Sequence, residues 1–263
     1  MSEDNQMMTF GGHLEVLRRM LFRVLTAVAV FAVAIFCCKE WTFRLLLEPS
    51  SSEFCLYQWI EQILSRLGVD FRFAPFQVEL IATDLSSQFM THISTSLYLG
   101  LLCASPYILF ELFRFIAPAL HDDERRYSIP VLLIIYTLFI VGVLMSYFIL
   151  FPVSFRFLGT YQVAEQVKST ITLDSYISTF VTLTLVMGVV FQLPVVAYLL
   201  AKLGVIESQM LVQYRQYAFL IIMVIAAVIT PPDLMTLVLV TVPLYLLYEV
   251  SILVTRRVQV RVT

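Results

Sequence analysis

The sequence predicts an all-α membrane protein, with six transmembrane helices in a single domain, residues 1–263, and both termini on the cytoplasmic side. Hydrophobic residues make up 60% of the chain, charged residues only 14%, and the mean hydropathy is +0.87. An ordinary soluble domain is less apolar and carries more charge. The apolar runs are continuous, whereas a membrane β-barrel needs many alternating segments of roughly ten residues. Helices are therefore the predicted spanning elements, because they satisfy their own backbone hydrogen bonds in lipid.

The apolar runs also locate the six spans. They cover residues 20–38, 92–117, 128–150, 175–201, 216–230 and 234–254. Pro106, Pro194 and Pro243 lie inside the second, fourth and sixth spans. A proline inside a helix removes a backbone hydrogen bond and bends the axis. The predicted bundle is therefore curved.

Lysine and arginine residues near the span ends predict the orientation, because such residues collect on the cytoplasmic side. They are concentrated in the N-terminal segment, the second and fourth connections and the C-terminal tail, as Arg18, Arg19, Arg23, Arg114, Arg125, Arg126, Lys202, Arg215, Arg256, Arg257 and Arg261. These four segments are predicted to face the cytoplasm, with the chain in the cytoplasmic (inner) membrane. The net charge of −2 is not informative about nucleic acid, because the basic residues serve orientation, and no nucleic-acid partner is predicted.

The fifth and sixth spans are predicted to be short. Residues 216–230 would form a helix about 22 Å long, against a hydrocarbon core of about 30 Å. The sixth apolar run, 234–248, has the same length before Glu249 interrupts it. Either the two helices thin the bilayer locally, or both continue beyond the membrane surface and span it normally.

The first outer loop, residues 39–91, is the longest extramembrane segment. It is predicted to contain a short amphipathic helix at about 53–67, with Ser50 and Glu53 as a capping box and Gly68 as the stop signal. Its apolar residues recur at helical spacing, as Leu56, Tyr57, Ile60, Ile63, Leu64 and Leu67. The preferred interpretation is a helix that caps the bundle, and the alternative is one that remodels the membrane surface.

One polar side chain lies deep in the fourth span. Gln192 stands two residues before Pro194 in the apolar segment VVFQLPVV. A polar side chain at this depth usually faces the bundle or a polar cavity rather than lipid. Gln192 is either an interhelical hydrogen-bonding residue within the chain or a contact for a partner helix.

Catalytic and metal-binding residues are not predicted. His13, His92 and His121 lie at or outside the span ends, and no HExxH, GxSxG or P-loop pattern occurs. The four cysteines have no metal-binding spacing, and no cofactor is predicted. A secondary transporter or channel for a small solute is the alternative function, although transporters usually show inverted repeats and ionisable residues at mid-membrane. A receptor whose charges act at the membrane surface is the preferred class.

The densest charge cluster lies in the second connection, in the segment PALHDDERRYSIP, residues 118–130. Asp122, Asp123 and Glu124 precede Arg125 and Arg126. By itself this cluster is typical of a solvated loop with basic residues that fix its orientation. Its carboxylates are also suitable acceptors for guanidinium groups, which bind carboxylates in a bidentate fashion.

Four segments together resemble the TatC family. They are FGGHLEVLRRMLFRV near the N-terminus, LCASPYILFELFRFIAPALHDDERR across the second span, FQLPVV in the fourth span and VITPPDLMTLVLVTVPLYLLYE near the end. The resemblance extends from about residue 9 to 255, with matching number and spacing of spans. It implies the signal-peptide receptor of the twin-arginine translocase, which exports folded proteins using the proton-motive force.

The resemblance also implies site residues and partners. Glu124 corresponds to the acid of the family's ERR pattern, and Glu15 is the acid of the N-terminal segment, although Val16 stands where the family pattern HLEELR has its second glutamate. Arg18 and Phe115 are further implied signal-peptide-binding residues, and Gln192, a glutamate in many relatives, is the implied partner-helix contact. The implied partners are twin-arginine signal peptides of folded cargo, TatA/TatB-type single-span subunits, membrane lipid, and further copies of this chain in a larger complex.

Overall fold

The computed structural model describes residues 10–51, 54–66, 68, 79–116, 128–161, 164 and 170–262. The chain forms two compact units. The first contains residues 1–38 and 93–136, and the second contains residues 39–92 and 137–263. By length and composition, five helices of the described residues could cross a membrane, and a sixth apolar helix, Arg215–Ile229, is shorter.

The first unit is built on two long helices, α1 (Phe10–Cys37) and the greater part of α4 (Ser87–Ile116). Their backbones approach closely where Gly100 faces Ala32. A Cβ atom added at Gly100 would lie 2.7 Å from the backbone nitrogen of Ala32. Small residues permit such close approach between membrane helices, whose association depends on van der Waals packing.

The second unit begins with α2 (Lys39–Leu47), a 3-10 turn (Glu48–Ser50) and α3 (Cys55–Arg66). The helix α3 occupies most of the stretch in which the sequence predicts an amphipathic helix. Gly68 follows it with a φ of 80°, a conformation that glycine adopts without steric cost. Further along, β1 (Leu80–Ile81) pairs in parallel with β2 (Ile171–Thr172).

Three tyrosine hydroxyls join α2 and α3 to the spans of the second unit. Tyr147 donates to the carbonyl oxygen of Leu45 at 2.9 Å, Tyr176 to that of Leu46 at 2.7 Å, and Tyr57 to that of Pro152 at 2.8 Å. The first two bonds satisfy carbonyls in the last turn of α2, which have no partner within their own helix. Burial raises the pKa of Tyr57 to about 12, and Arg156 above its ring opposes the shift. These contacts favour the capping interpretation of the first loop.

The third span is one continuous helical rod. It consists of α5 (Ser128–Met145), a π-helical turn (Ser146–Leu150) and α6 (Phe151–Thr160). The rod extends ten residues beyond the predicted end of this span at residue 150. At the π-helical turn, Ser146 hydrogen-bonds Thr184 of the fourth span at 3.2 Å, and both hydroxyls are buried.

The fourth span is broken into α7 (Leu173–Val190) and α8 (Leu193–Lys202). Pro194 stands in the first turn of α8, where its missing N–H leaves no hydrogen bond unmade. By contrast, α4 continues through Pro106, and the last helix continues through Pro243. The break consists of residues 191–192 and includes Gln192.

The last two spans differ in length. After the short helix α9 (Ser208–Gln213), α10 (Arg215–Ile229) has 15 residues, as predicted, but α11 (Leu234–Val262) has 29. The prediction of a short sixth helix is wrong. Glu249 does not end the helix, because its carboxylate is paired with Arg215 at 2.7 Å and accepts the Tyr245 hydroxyl at 3.0 Å. Glu249 interrupts the apolar run only.

Candidate functional site

The N-terminal turns of α1 present an exposed acid beside exposed arginines. Glu15 accepts a hydrogen bond from Arg19, four residues later on the same helix face. Arg18 is also exposed. Because both partners of the Glu15–Arg19 pair are well solvated, the pair contributes little to stability. The Glu15 carboxylate is therefore available to exchange Arg19 for another cation.

The second predicted acid lies elsewhere in the chain. Glu124 falls within residues 117–127, outside the described residues. Phe115 stands in the last turn of α4, with its ring half-buried. The structure thus assigns Glu15, Arg18 and Phe115 to the same unit.

The pairing of α1 with α4 locates the level of Glu15. Two contacts, Ala32 with Gly100 and Arg23 with Glu111, show that the helices run antiparallel. Glu15 lies eight residues before Arg23, or about 12 Å along the helix. Glu111 is level with Arg23, but α4 continues for only five residues beyond Glu111, to Ile116, or about 8 Å. Glu15 therefore lies beyond the level of Ile116, the last residue of α4.

An ion pair with a buried carboxylate joins the two helices about one turn before that end. Arg23 donates from Nη1 to both carboxylate oxygens of Glu111, at 3.1 and 3.4 Å. The Tyr107 hydroxyl donates to the same carboxylate at 3.1 Å. Glu111 is only 5% exposed, and ionisable residues at such depth are usually paired and functional.

Glu111 was not predicted from the sequence. The sequence pattern explains Arg23 by membrane orientation alone and indicates Gln192 as the polar residue at depth. The signal was present in the segment LFELFR, where one carboxylate interrupts an apolar run. The average hydropathy of a run conceals a single acid, whereas the requirement that a buried charge has a partner predicts an ion pair at Glu111 without identifying the partner.

Gln192 lies at the break between α7 and α8, in the second unit. Its backbone carbonyl accepts the N–H groups of Val195 and Val196, at 2.9 and 3.0 Å. The residue is half-buried and its side-chain amide oxygen is buried. The break leaves this amide in an otherwise apolar span.

The middle of α11 carries a second Tyr–Glu–Arg cluster, beside the start of α10. Arg215 donates to Glu249 at 2.7 Å, and Tyr245 donates to the other carboxylate oxygen. Tyr248 donates to the carbonyl oxygen of Leu211 at 2.7 Å, which ties α11 to α9. At the start of α11, Asp233 caps the helix by accepting the N–H of Thr236 at 2.7 Å.

These features define a class of protein, the polytopic α-helical membrane protein with ion pairs between its helices. Among the described residues, no group of three or more His, Cys, Asp or Glu side chains could hold a metal ion.

Comparison with known proteins identifies the family. The model of the family "Sec-independent protein translocase protein (TatC)" matches residues 12–243. A TatC from a Blattabacterium of Periplaneta americana is 32% identical over 256 residues, which cover 96% of each chain. A TatC from Deinococcus radiodurans is 35% identical over a region that covers 93% of this chain and 84% of the relative. A crystal structure of the twin-arginine translocase receptor TatC superimposes with a TM-score of 0.75 at 33% identity, covering 94% of this chain and 99% of that one. The chain therefore belongs to the TatC family, as the sequence resemblance predicts, and is a multi-pass membrane component of a protein translocase.

Proposed function

We propose that this chain is the receptor that binds twin-arginine signal peptides at the cytoplasmic face of the inner membrane. With TatA/TatB-type single-span subunits, it exports folded proteins using the proton-motive force. The observation that carries the proposal is the antiparallel pairing of α1 with α4, in which the exposed Glu15 lies beyond the level of Ile116, the last residue of α4. The family membership and the exposed state of Glu15 and Arg18 support it.

The proposed recognition depends on exchange of guanidinium groups. The Glu15–Arg19 pair is intrahelical and solvated, and such pairs contribute about 0.3–0.5 kcal/mol. A hydrogen bond to a charged group in a partly desolvated site is worth about 1.5–3 kcal/mol. A signal-peptide arginine can therefore displace Arg19 from Glu15 while the second arginine pairs with Glu124.

Arg18 and Phe115 have complementary proposed roles. Signal peptides carry an apolar segment next to their basic residues, and Phe115 offers a half-buried ring at the end of α4 for that segment. Arg18 has five N–H donors and no acceptor, so it is proposed to bind carbonyl oxygens of the peptide backbone.

Arg23 and Glu111 are proposed as positioning residues of this site. They join α1 to α4 at a buried carboxylate and so set the level of Glu15 relative to the end of α4. Removal of one partner from a buried ion pair costs about 3–5 kcal/mol. A register change of one turn would move Glu15 by about 5 Å, which is more than a hydrogen bond tolerates.

Gln192 is the proposed contact for a TatA/TatB-type helix. Its side chain is only half-buried and lies at a helix break, and an amide that bonds between membrane helices contributes about 0.6–2 kcal/mol. The complex is proposed to contain several copies of this chain.

A crosslinking experiment tests the receptor function. A photoreactive amino acid at Phe115 or at Val16, next to Glu15, should capture a twin-arginine signal peptide in membrane vesicles. The matched twin-lysine peptide should be captured much less, because an ammonium cannot make the bidentate contact. The same probe at Leu133, exposed on α5, is the negative control. Equal capture of both peptides at all positions would contradict the proposal.

A further inference from the structure

The helices α2 and α3 each have an exposed apolar face as well as a buried one. On α2, Thr42 and Leu46 are buried, whereas Trp41 is 68% exposed. On α3, Leu56 and Tyr57 are buried, whereas Trp59 is 63% exposed. These are the only two tryptophans of the chain.

Each tryptophan has an aliphatic neighbour on the same face. Leu45 follows Trp41 by four residues, Ile63 follows Trp59 by four, and both aliphatic side chains are exposed. Residues four apart on a helix lie side by side. Trp59 stands two residues after Tyr57, about 200° around the helix, so it faces away from Pro152, to which the Tyr57 hydroxyl donates. The Trp41–Leu45 and Trp59–Ile63 pairs thus point away from the spans that the same helices cap.

The depth of α2 follows from its contacts within the second unit. The Leu46 carbonyl accepts the hydroxyl of Tyr176, which lies in the first turn of α7 and of the candidate span Leu173–Lys202. The C-terminal end of α2 is therefore level with the first turn of that span. Trp41 is five residues from Leu46, at most about 8 Å along the helix. Trp41 is therefore close to the level at which that candidate span begins.

We propose that the Trp41–Leu45 and Trp59–Ile63 pairs insert into the lipid headgroup–acyl boundary at the end of the spans where α7 begins. Tryptophan is favoured in this zone because its large ring is apolar while its N–H is polar. An amphipathic helix there lies about 5–10 Å deep in the boundary. The charges of α2 are mixed, as Lys39, Glu40 and Arg44, so insertion depends on apolar burial and occurs in zwitterionic lipid.

The loop thus has two faces with different partners. Its buried face caps the second unit through tyrosine hydroxyls, and its exposed face anchors the cap to the bilayer surface. This combines capping with surface attachment, and it requires no remodelling of the membrane.

Tryptophan fluorescence tests the proposal directly, because no other tryptophan contributes. The full-length chain is reconstituted in phosphatidylcholine vesicles as Trp41→Phe and Trp59→Phe, each of which leaves one emitter. The lipids carry bromine either in the upper half of the acyl chains or near the chain ends. Each remaining tryptophan should lose about half of its emission to the upper bromines and clearly less to the deep ones, as expected for a residue in the boundary.

Two controls calibrate the depth. Leu25→Trp, in a chain without Trp41 and Trp59, places an emitter at an exposed position near the middle of the span Leu14–Cys37, so the deep bromines should quench it more strongly. N-acetyltryptophanamide in the buffer reports quenching in water.

The proposal is overturned if either tryptophan is insensitive to brominated lipid. Acrylamide, a quencher dissolved in the buffer, then distinguishes two causes. Strong quenching by acrylamide would show that the tryptophan lies in water, and protection from both acrylamide and brominated lipid would show that protein covers it. Stronger quenching by the deep bromines at either site would also overturn it.

Discussion

The two compact units contain ion pairs of the same design in different environments. In the first unit, Tyr107 precedes Glu111 by four residues and both Tyr107 and Arg23 of another helix donate to its carboxylate. In the second unit, Tyr245 precedes Glu249 by four residues and Arg215 is the partner from another helix. The segments YILFE and YLLYE carry the two copies.

Burial separates the two pairs. The Glu111 side chain is 6% exposed and that of Glu249 is 31% exposed, although the arginines are similar at 48% and 45%. A buried carboxylate without its partner is strongly destabilising, whereas a solvated one recovers hydration when the partner is removed. The same three residue types should therefore hold the first unit together strongly and the second only weakly. The Glu15–Arg19 pair, in which both side chains are more than half exposed, extends the series.

The largest effect is expected when the buried carboxylate loses its partner. Arg23→Met keeps the apolar stem and removes the charge, so Glu111 is left buried with only the Tyr107 hydroxyl. We expect the free energy of unfolding to fall by about 3–5 kcal/mol. Chemical denaturation in mild detergent measures the change.

The double variant Arg23→Met with Glu111→Gln is the control for this first prediction. It removes both charges and leaves an amide that Tyr107 can still bond, so it should recover much of the lost stability. A double variant as unstable as Arg23→Met would show that the arginine stem, and not the buried charge, is responsible.

The second effect concerns an acid that serves an external partner. Glu124→Gln should weaken binding of a twin-arginine signal peptide by about 1.5–3 kcal/mol, or ten- to a hundredfold, without lowering stability. Asp122→Asn and Asp123→Asn are the matched controls and should change the affinity by at most about 1 kcal/mol. Peptide titration of the reconstituted chain gives these affinities. Wild-type affinity of Glu124→Gln in a correctly inserted chain would exclude Glu124 from the site.

A smaller effect is expected in the second unit. Arg215→Met should lower the free energy of unfolding by about 1 kcal/mol or less, because Glu249 remains partly hydrated and keeps the Tyr245 bond. The same denaturation assay compares it with Arg23→Met. Equal losses in the two variants would mean that burial does not distinguish the pairs.

The sequence predicted the number of spans and their approximate positions, because continuous apolar runs of this length are typical of membrane-spanning helices. It does not predict that α11 continues past Glu249. A charge in an apolar run indicates the end of a span, but the partner that pairs with Glu249 is Arg215, 34 residues earlier. Glu111 was missed for the same reason, because its partner Arg23 lies 88 residues away. Local patterns predict helices, whereas pairing between helices depends on the tertiary structure.

The smallest effect on stability, with a clear effect on binding, is expected at the exposed pair. Arg19→Gln should change the free energy of unfolding by at most about 0.5 kcal/mol. It also frees Glu15 for the signal peptide, so the affinity should rise by up to about twofold, the equivalent of the intrahelical pair that no longer competes. Glu15→Gln removes the acceptor and should lower the affinity and the preference for twin arginine over twin lysine.

Arg18→Gln is the charge-matched control for Arg19→Gln. It removes the same charge but leaves the Glu15–Arg19 pair intact, so it should produce no increase. If Arg18→Gln and Arg19→Gln raise the affinity equally, net charge rather than release of Glu15 is the cause. If Glu15→Gln binds the signal peptide like the wild type, Glu15 does not replace the glutamate whose position Val16 occupies. Another residue of this chain then binds the second arginine of the signal peptide.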